Sequence, residues 1–259
     1  TRAEKIQLQK DKKVVLEKLY RASKIIDELF LEQVYSKNNQ IKSELISKIE
    51  DKSSLELKPE LELQLELFNI MFGPFDRLED NEPFIGTDKK PLGANFYPED
   101  MTKEEFEKWI KDNPKDEKSF TSEFTIIRRE NGKLVAIPYS EYFKDKLTEA
   151  SRLLKEAADY SDNPSLKKYL LSRADAFLSN DYYQSDMDWM DLKEHNIEVV
   201  IGPYEVYEDE MFNYKASFES FVTIKDPVES KKLEVFAKYL TDIEKNFSLD
   251  DKHKNYTQC

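Results

Sequence analysis

The 259-residue sequence predicts an α+β fold, predominantly helical, with helices packed around a small antiparallel β-core. Three observations carry that expectation. Only 5 glycines are present while Leu, Lys and Glu are abundant, which favours helices over a turn-rich sandwich or barrel. Apolar residues recur at three- and four-residue steps over long stretches, the period of an amphipathic helix. Asn131-Gly132 stands between two apolar runs, the signal of a tight hairpin turn.

Residues 5–35 read as one long helix, with Val15, Leu19, Ala22, Ile26 and Leu29 facing a core. Residues 39–50 form a second, with Ile41, Leu45 and Ile49 on one face. Leu61, Leu63, Leu65 and Leu67 alternate with Glu and Gln, which is strand period. Good helix formers, no β-branched residues and Pro59 near the start favour helix for 55–68 all the same. Residues 73–98, rich in Gly and Pro, form the longest irregular stretch, of a length that often carries function. Thr102 and Glu105 make a capping box before Phe106, Trp109 and Ile110, and Pro114 ends that helix. A hairpin near 124–137 follows, then helices over 140–159, 164–179 and 185–194. Tyr169, Leu170, Ala174 and Phe177 point inward on the second of these. Strands over 197–207 and 216–225 make a second hairpin, and 227–246 a last amphipathic helix. The simplest organisation is a single lobe over 1–246 with a polar tail over 247–259.

A net charge of −13 argues against a general nucleic-acid binder, which needs a basic face. No apolar run approaches the ~20 residues of a membrane span. The only cysteine, Cys259, permits neither an intramolecular disulfide nor a cysteine zinc cluster. The chain begins at Thr1 without a secretory signal, so it reads as cytoplasmic or as exported with its signal removed.

Two histidines, His195 and His253, stand far apart, and neither offers the paired spacing of a helical zinc site. His195 reads as a surface or strand-entry residue. A G-x-S-x-G elbow, a Walker loop and a G-x-G-x-x-G turn are all missing. Asp186, Asp188 and Asp191 cluster around Trp189, which in a chain with 53 acidic residues reads first as a solvated face. Glu205 and Tyr207, two apart after Val199-Val200-Ile201, would share one face of a strand. A carboxylate beside a phenol suits a peptide: one holds the ammonium terminus, the other donates to a carbonyl oxygen. An outward polar face is the alternative.

The runs Ser185-Asp-Met-Asp-Trp-Met-Asp-Leu-Lys193, Ile201-Gly-Pro-Tyr-Glu-Val-Tyr-Glu-Asp209 and Tyr214-Lys-Ala-Ser-Phe-Glu-Ser-Phe-Val222 together resemble the bacterial branch of the dipeptidyl peptidase III family. Phe72-Gly-Pro-Phe-Asp-Arg-Leu78, Gly93-Ala-Asn-Phe-Tyr-Pro98 and the 124–139 hairpin fit as well, so the likeness spans about residues 19 to 246. The resemblance implies a zinc metallopeptidase that removes dipeptides from peptide N-termini, built of two lobes around a cleft. It matches this chain to the lobe that holds substrate. It implies that Glu205 receives the substrate's amine, that Tyr207 sits over the scissile carbonyl, and that Glu219 is a further cleft carboxylate. The loop with Asn95 and Tyr97 is expected beside them. The family's H-E-x-x-G-H zinc helix has no counterpart here. The chain is therefore expected to need no cofactor of its own, zinc belonging to an intact family member. It would be inactive alone, as a fragment or truncated product, and partner short peptides and a C-terminal zinc-bearing half. A non-catalytic peptide-binding or scaffold protein sharing the lobe is the alternative. A third reading is an acidic hydrolase built on Asp186–Asp191.

Overall fold

The computed structural model describes residues 2–51 and 56–254, with side chains from Lys12 onward except that of Pro227. Helix α1 (Arg2–Val34) is the spine. Val15, Leu19, Ala22, Ile26 and Leu29 are all buried, as their spacing requires. α1 packs on α7 (Lys144–Tyr160), α7 on α8 (Pro164–Ser179), and α8 on α9 (Tyr183–Met190). Asn163 caps α8 by accepting from the Leu166 amide, with Pro164 in the first turn, where its missing N–H costs nothing.

α2 (Asn38–Glu50) and α3 (Lys58–Met71) pair beside the C-terminal end of α1 around Leu31, Leu45 and Phe68. The alternating leucines of α3 are helical: Leu61 and Leu65 turn toward this cluster while Leu63 is exposed. The start of that expected helix, at residue 55, lies outside the described residues. Within 73–98 a short antiparallel pair forms, β1 (Phe75–Asp76) with β2 (Glu82–Pro83). Thr102 caps α4 (Lys103–Asp112) by accepting from the Glu105 amide, and the single turn α5 (Glu117–Phe120) follows.

β3 (Thr125–Glu130) and β4 (Lys133–Pro138) form the expected hairpin. Asn131 and Gly132 have φ of 51° and 76°, the doubly left-handed turn that matches the twist of paired strands. The one-turn helix α6 (Tyr139–Tyr142) leads into α7. β5 (Ile197–Glu205) and β6 (Ser217–Ile224) pair antiparallel, Val199 opposite Val222 and Gly202 opposite Glu219. β6 lies on α1, so Val199, Ile201 and Phe218 join the core. Among the described residues the β-core consists of three two-stranded antiparallel sheets.

The last expected helix is two: α10 (Pro227–Ala237) and α11 (Leu240–Asn246), broken at Lys238-Tyr239. Their described side chains are not buried, so the core is drawn from residues before α10. Asp251–His253 form a single 3-10 turn.

Candidate functional site

Glu205, Tyr207 and Glu219 line one open cavity of about 550 Å³ between α1, the α3 C-terminus and the β5–β6 pair. Its walls are apolar: Ile26 and Phe30 of α1, Phe72, and Phe218 and Phe221 of β6. Phe72 reaches it because α3 ends there, with Phe72 itself left-handed at φ 53°. Half of the polar lining residues are acidic, Asp27, Glu205, Glu208 and Glu219, and Asp27 is paired with Lys24 at 2.9 Å. Arg77 is also on the wall, but its guanidinium is engaged by Glu208 and lies over the Phe30 ring. Lys90 pairs with the other oxygen of Glu208 at 3.3 Å. The cavity therefore has apolar walls and, in Glu205 and Glu219, two carboxylates without a cation partner among the described residues, suited to a ligand with a cationic end and an apolar body.

Strand period does not explain the pairing of Glu205 with Tyr207. β5 ends at Glu205, and a register shift falls between Pro203 and Glu205. Pro203 has no N–H for the ladder, a common place for a bulge. Tyr207 lies in the connection beyond the strand, 77% exposed, and still turns to the cavity. The organiser of this connection is buried Asp209, which accepts from the Tyr97 hydroxyl at 2.7 Å and from the amides of Met211, Phe212, Tyr214 and Lys215. Ser217 donates to the Glu205 carbonyl at 2.8 Å, tying β6 to the end of β5.

Neither Asn95 nor Tyr97 is among the residues lining this cavity. Tyr97 is buried, and its hydroxyl is spent on Asp209. Asn95 stitches its loop to α1 and β3: its amide donates to the Glu32 carbonyl at 2.7 Å, and its side-chain oxygen accepts from Arg128 at 3.1 Å. Both residues shape the site from behind.

Several contributors were not singled out from sequence. Buried Gln33 accepts from the Phe218 amide at 2.7 Å and so sets β6 on α1. Lys215 is buried, its ammonium donating to the Phe120 and Ser122 carbonyls and to Thr125 Oγ1. Burial pulls its pKa down to about 7, opposed by Asp209. Arg173 lies fully buried beneath β5, paired with Asp186 and ringed by Tyr169, Tyr182 and Tyr204, its guanidinium carbon 5.3–5.5 Å from each ring. Phe72 and Arg77 stand in the run Phe72 to Leu78, where the Gly73-Pro74 turn is the signal the sequence offers.

The aspartates near Trp189 do not form a shared centre. Asp186 serves Arg173, while Asp188 is held by Lys168 at 2.8 Å and Gln184 at 2.9 Å. His195 pairs with Glu198 at the entry to β5, and exposed His253 lies in the 3-10 turn. Among the described residues no three His, Cys, Asp or Glu side chains are grouped to hold a metal ion, so these residues do not fit a zinc site. Cys259 lies outside the described residues. Among the described residues no helix is long and apolar enough to cross a membrane.

Comparison with known proteins decides the family. Residues 100–246 match the family model of peptidase family M49, more than half of the chain. The chain belongs to peptidase family M49. Its fold is similar to that of DPP III from Caldithrix abyssi, with a TM-score of 0.87 and 61% identity over 95% of this chain and 46% of that one. Dipeptidyl-peptidase III from Corallococcus sp. strain EGB gives 0.80 and 40% identity, over 95% of this chain and 45% of that one. An Arabidopsis thaliana protein named Nudix hydrolase 3 is 34% identical over 92% of this chain and 36% of its own length. This M49 chain thus spans about half the length of the solved DPP III chains and about a third of the plant protein. Every cavity-lining residue from α4 onward, including Glu205, Tyr207 and Glu219, falls inside the matched M49 segment.

Proposed function

We propose that this chain is the peptide-holding lobe of a DPP III-like zinc metallopeptidase, which removes dipeptides from peptide N-termini when intact. The carrying observation is the convergence of Glu205, Glu219 and Tyr207 on one cavity with aromatic walls. Glu205, exposed at the rim, takes the substrate's terminal ammonium in a charge-assisted bond. Glu219 adds a second negative charge, and burial and the nearby charge of Glu205 push its pKa up. An arriving ammonium relieves that repulsion. The apolar walls receive the first side chains of the peptide, and Tyr207 donates to a backbone carbonyl. Zinc chemistry belongs to the part of the family fold that this chain does not span, and the residues here bind and orient.

Calorimetric titration with a short peptide bearing a free N-terminus, against the same peptide N-acetylated, tests this. The free peptide should bind at least about tenfold more tightly, as a charge-assisted bond of ~1–3 kcal/mol requires. Glu205→Gln should abolish most of that preference without loss of folding, because the side chain is exposed. Equal affinity for the two peptides would overturn the reading.

A further inference from the structure

Arg77 stands on the wall of the candidate cavity, held in place yet with one guanidinium nitrogen left to donate. Its backbone is fixed by the turn after β1, where the Asp76 side chain accepts from the Leu78 amide at 2.9 Å and the Asp76 carbonyl from the Asn81 amide at 2.9 Å. Its side chain is fixed as well. Nε donates to the Met71 carbonyl at 2.7 Å, Nη1 donates to Glu208, and the guanidinium carbon lies 5.4 Å from the centre of the Phe30 ring. Nη2 has no acceptor among the described residues. Buried Glu208 is also held by Lys90 at 3.3 Å, so Arg77 does not balance that charge alone. A guanidinium presents its donors as a rigid fork, and one anchored at two nitrogens has little freedom left to lose when the third meets a carboxylate.

The opposite charge shares the same cavity, in Glu205 and Glu219. Glu205 and Glu208, the partner of Arg77, are three residues apart in sequence, so their Cα atoms are at most ~11 Å apart. An extended peptide of two or three residues, at about 3.3–3.6 Å per residue, spans such a separation between its two ends. We infer that this cavity binds short free peptides as zwitterions, the terminal ammonium toward Glu205 and Glu219 and the terminal carboxylate on Arg77 Nη2. The inference rests on the peptide-holding reading and narrows it to a class of ligand. Splitting a peptide after its second residue makes such a molecule. The carbonyl carbon gains the oxygen of water, the C–N bond breaks and the departing amine takes a proton, so the dipeptide keeps its ammonium and gains a carboxylate. Arg77 thus favours the released dipeptide over a longer chain, whose carboxylate lies beyond its reach.

Calorimetric titration of the full chain with leucyl-phenylalanine, its C-terminal amide and its N-acetyl form tests this. The free dipeptide should bind at least about tenfold more tightly than the amide, the weight of one charge-assisted bond. The general field works the other way, because the amide brings one more positive charge to a protein of net charge −13. A preference for the acid therefore reports a local cation. For a pentapeptide with the same first two residues, acid and amide should differ by less than about twofold, since its C-terminus extends past Arg77. Arg77→Gln should bring the dipeptide's acid-over-amide ratio to about one. Should that variant fail to give a cooperative thermal melt, the length series on the unaltered chain decides alone. Equal binding of the two dipeptides, or an acid preference that persists in the pentapeptide, would overturn the inference. Acid and amide dipeptides that bind alike, both well above the N-acetyl form, remove the Arg77 contact and leave the peptide-holding reading standing. An N-acetyl form that binds as well as the free dipeptide, with the acid preference intact, removes the ammonium contact and with it that reading.

Discussion

At the cavity mouth Glu219 is half-buried and faces the charge of Glu205, and Arg77, the nearby cation, is already engaged by Glu208. Two carboxylates left without a counter-ion are a standing repulsion, the arrangement of a binding site more than of a stabilising network. Burial, more than Glu205, raises the Glu219 pKa above its ordinary value. A raised folded-state pKa means that the folded protein holds its proton more tightly than the unfolded chain. The stabilisation this gives is complete below the unfolded carboxylate pKa and is lost as pH rises through the folded one. At neutral pH the ionised group is therefore a burden. Glu219→Gln should stabilise the protein at pH 7 by less than about 1 kcal/mol, water screening so open a site. The gain should shrink toward pH 4, where the parent carboxyl is protonated. Urea midpoints of both proteins at the two pH values measure this, and a loss of stability at pH 7 would show that Glu219 has a partner holding its charge.

At the scale of elements, the end of β5 decides where Glu205 points. Gly202 sits there at φ 151°, and a Cβ in its place would lie 2.7 Å from the Arg173 guanidinium. Gly202→Ala should therefore cost ~1–3 kcal/mol in chemical denaturation through strain and displacement of Arg173. It should also weaken peptide binding, because Glu205 lies three residues on. The connection after β5 depends on Asp209, whose carboxylate gathers four backbone amides and one phenol. Asp209→Ala should cost about 3 kcal/mol or more by orphaning those buried donors. Hydrogen exchange should quicken at the Met211, Phe212, Tyr214 and Lys215 amides first. These elements also show what could be read from the sequence. Thr102, Asn163 and Asn131-Gly132 act within a few residues of themselves, and their caps and turn are where local rules place them. The stripe from Val15 to Leu29 needs only helical period to face inward. The bond from Tyr97 to Asp209 is not legible in the sequence, because the two stand 112 residues apart and no local rule links them. The break at Lys238-Tyr239 was invisible for a related reason: neither residue is a helix breaker, and the apolar spacing runs through it.

At the scale of the whole molecule, the net charge of −13 acts together with the acidic cavity rim. A protein this acidic repels anions and draws cationic groups toward its surface, and an apolar-walled cavity concentrates that field at its mouth. If the proposed function holds, a peptide with a free N-terminus should have its positive end drawn in first, toward Glu205 and Glu219. Long-range attraction acts chiefly on the rate of encounter, whereas the proposed contact with Glu205 should govern how long a peptide stays. The two can be separated by salt, since the screening length falls from ~30 Å at 0.01 M to ~8 Å at 0.15 M. Raising ionic strength across that range should slow association of a free-amine peptide several-fold in stopped-flow fluorescence while changing its dissociation much less. An N-acetylated peptide carrying one lysine far from its N-terminus, and thus of equal net charge, should show a similar salt dependence of association but dissociate at least about tenfold faster, for lack of the charge-assisted bond. Glu205→Gln should raise dissociation of the free-amine peptide toward the acetylated value and leave the salt slope nearly unchanged, since it removes one charge from a large excess. If that substitution instead flattened the salt dependence and left dissociation alone, Glu205 would be part of the general field and not a contact for the amine.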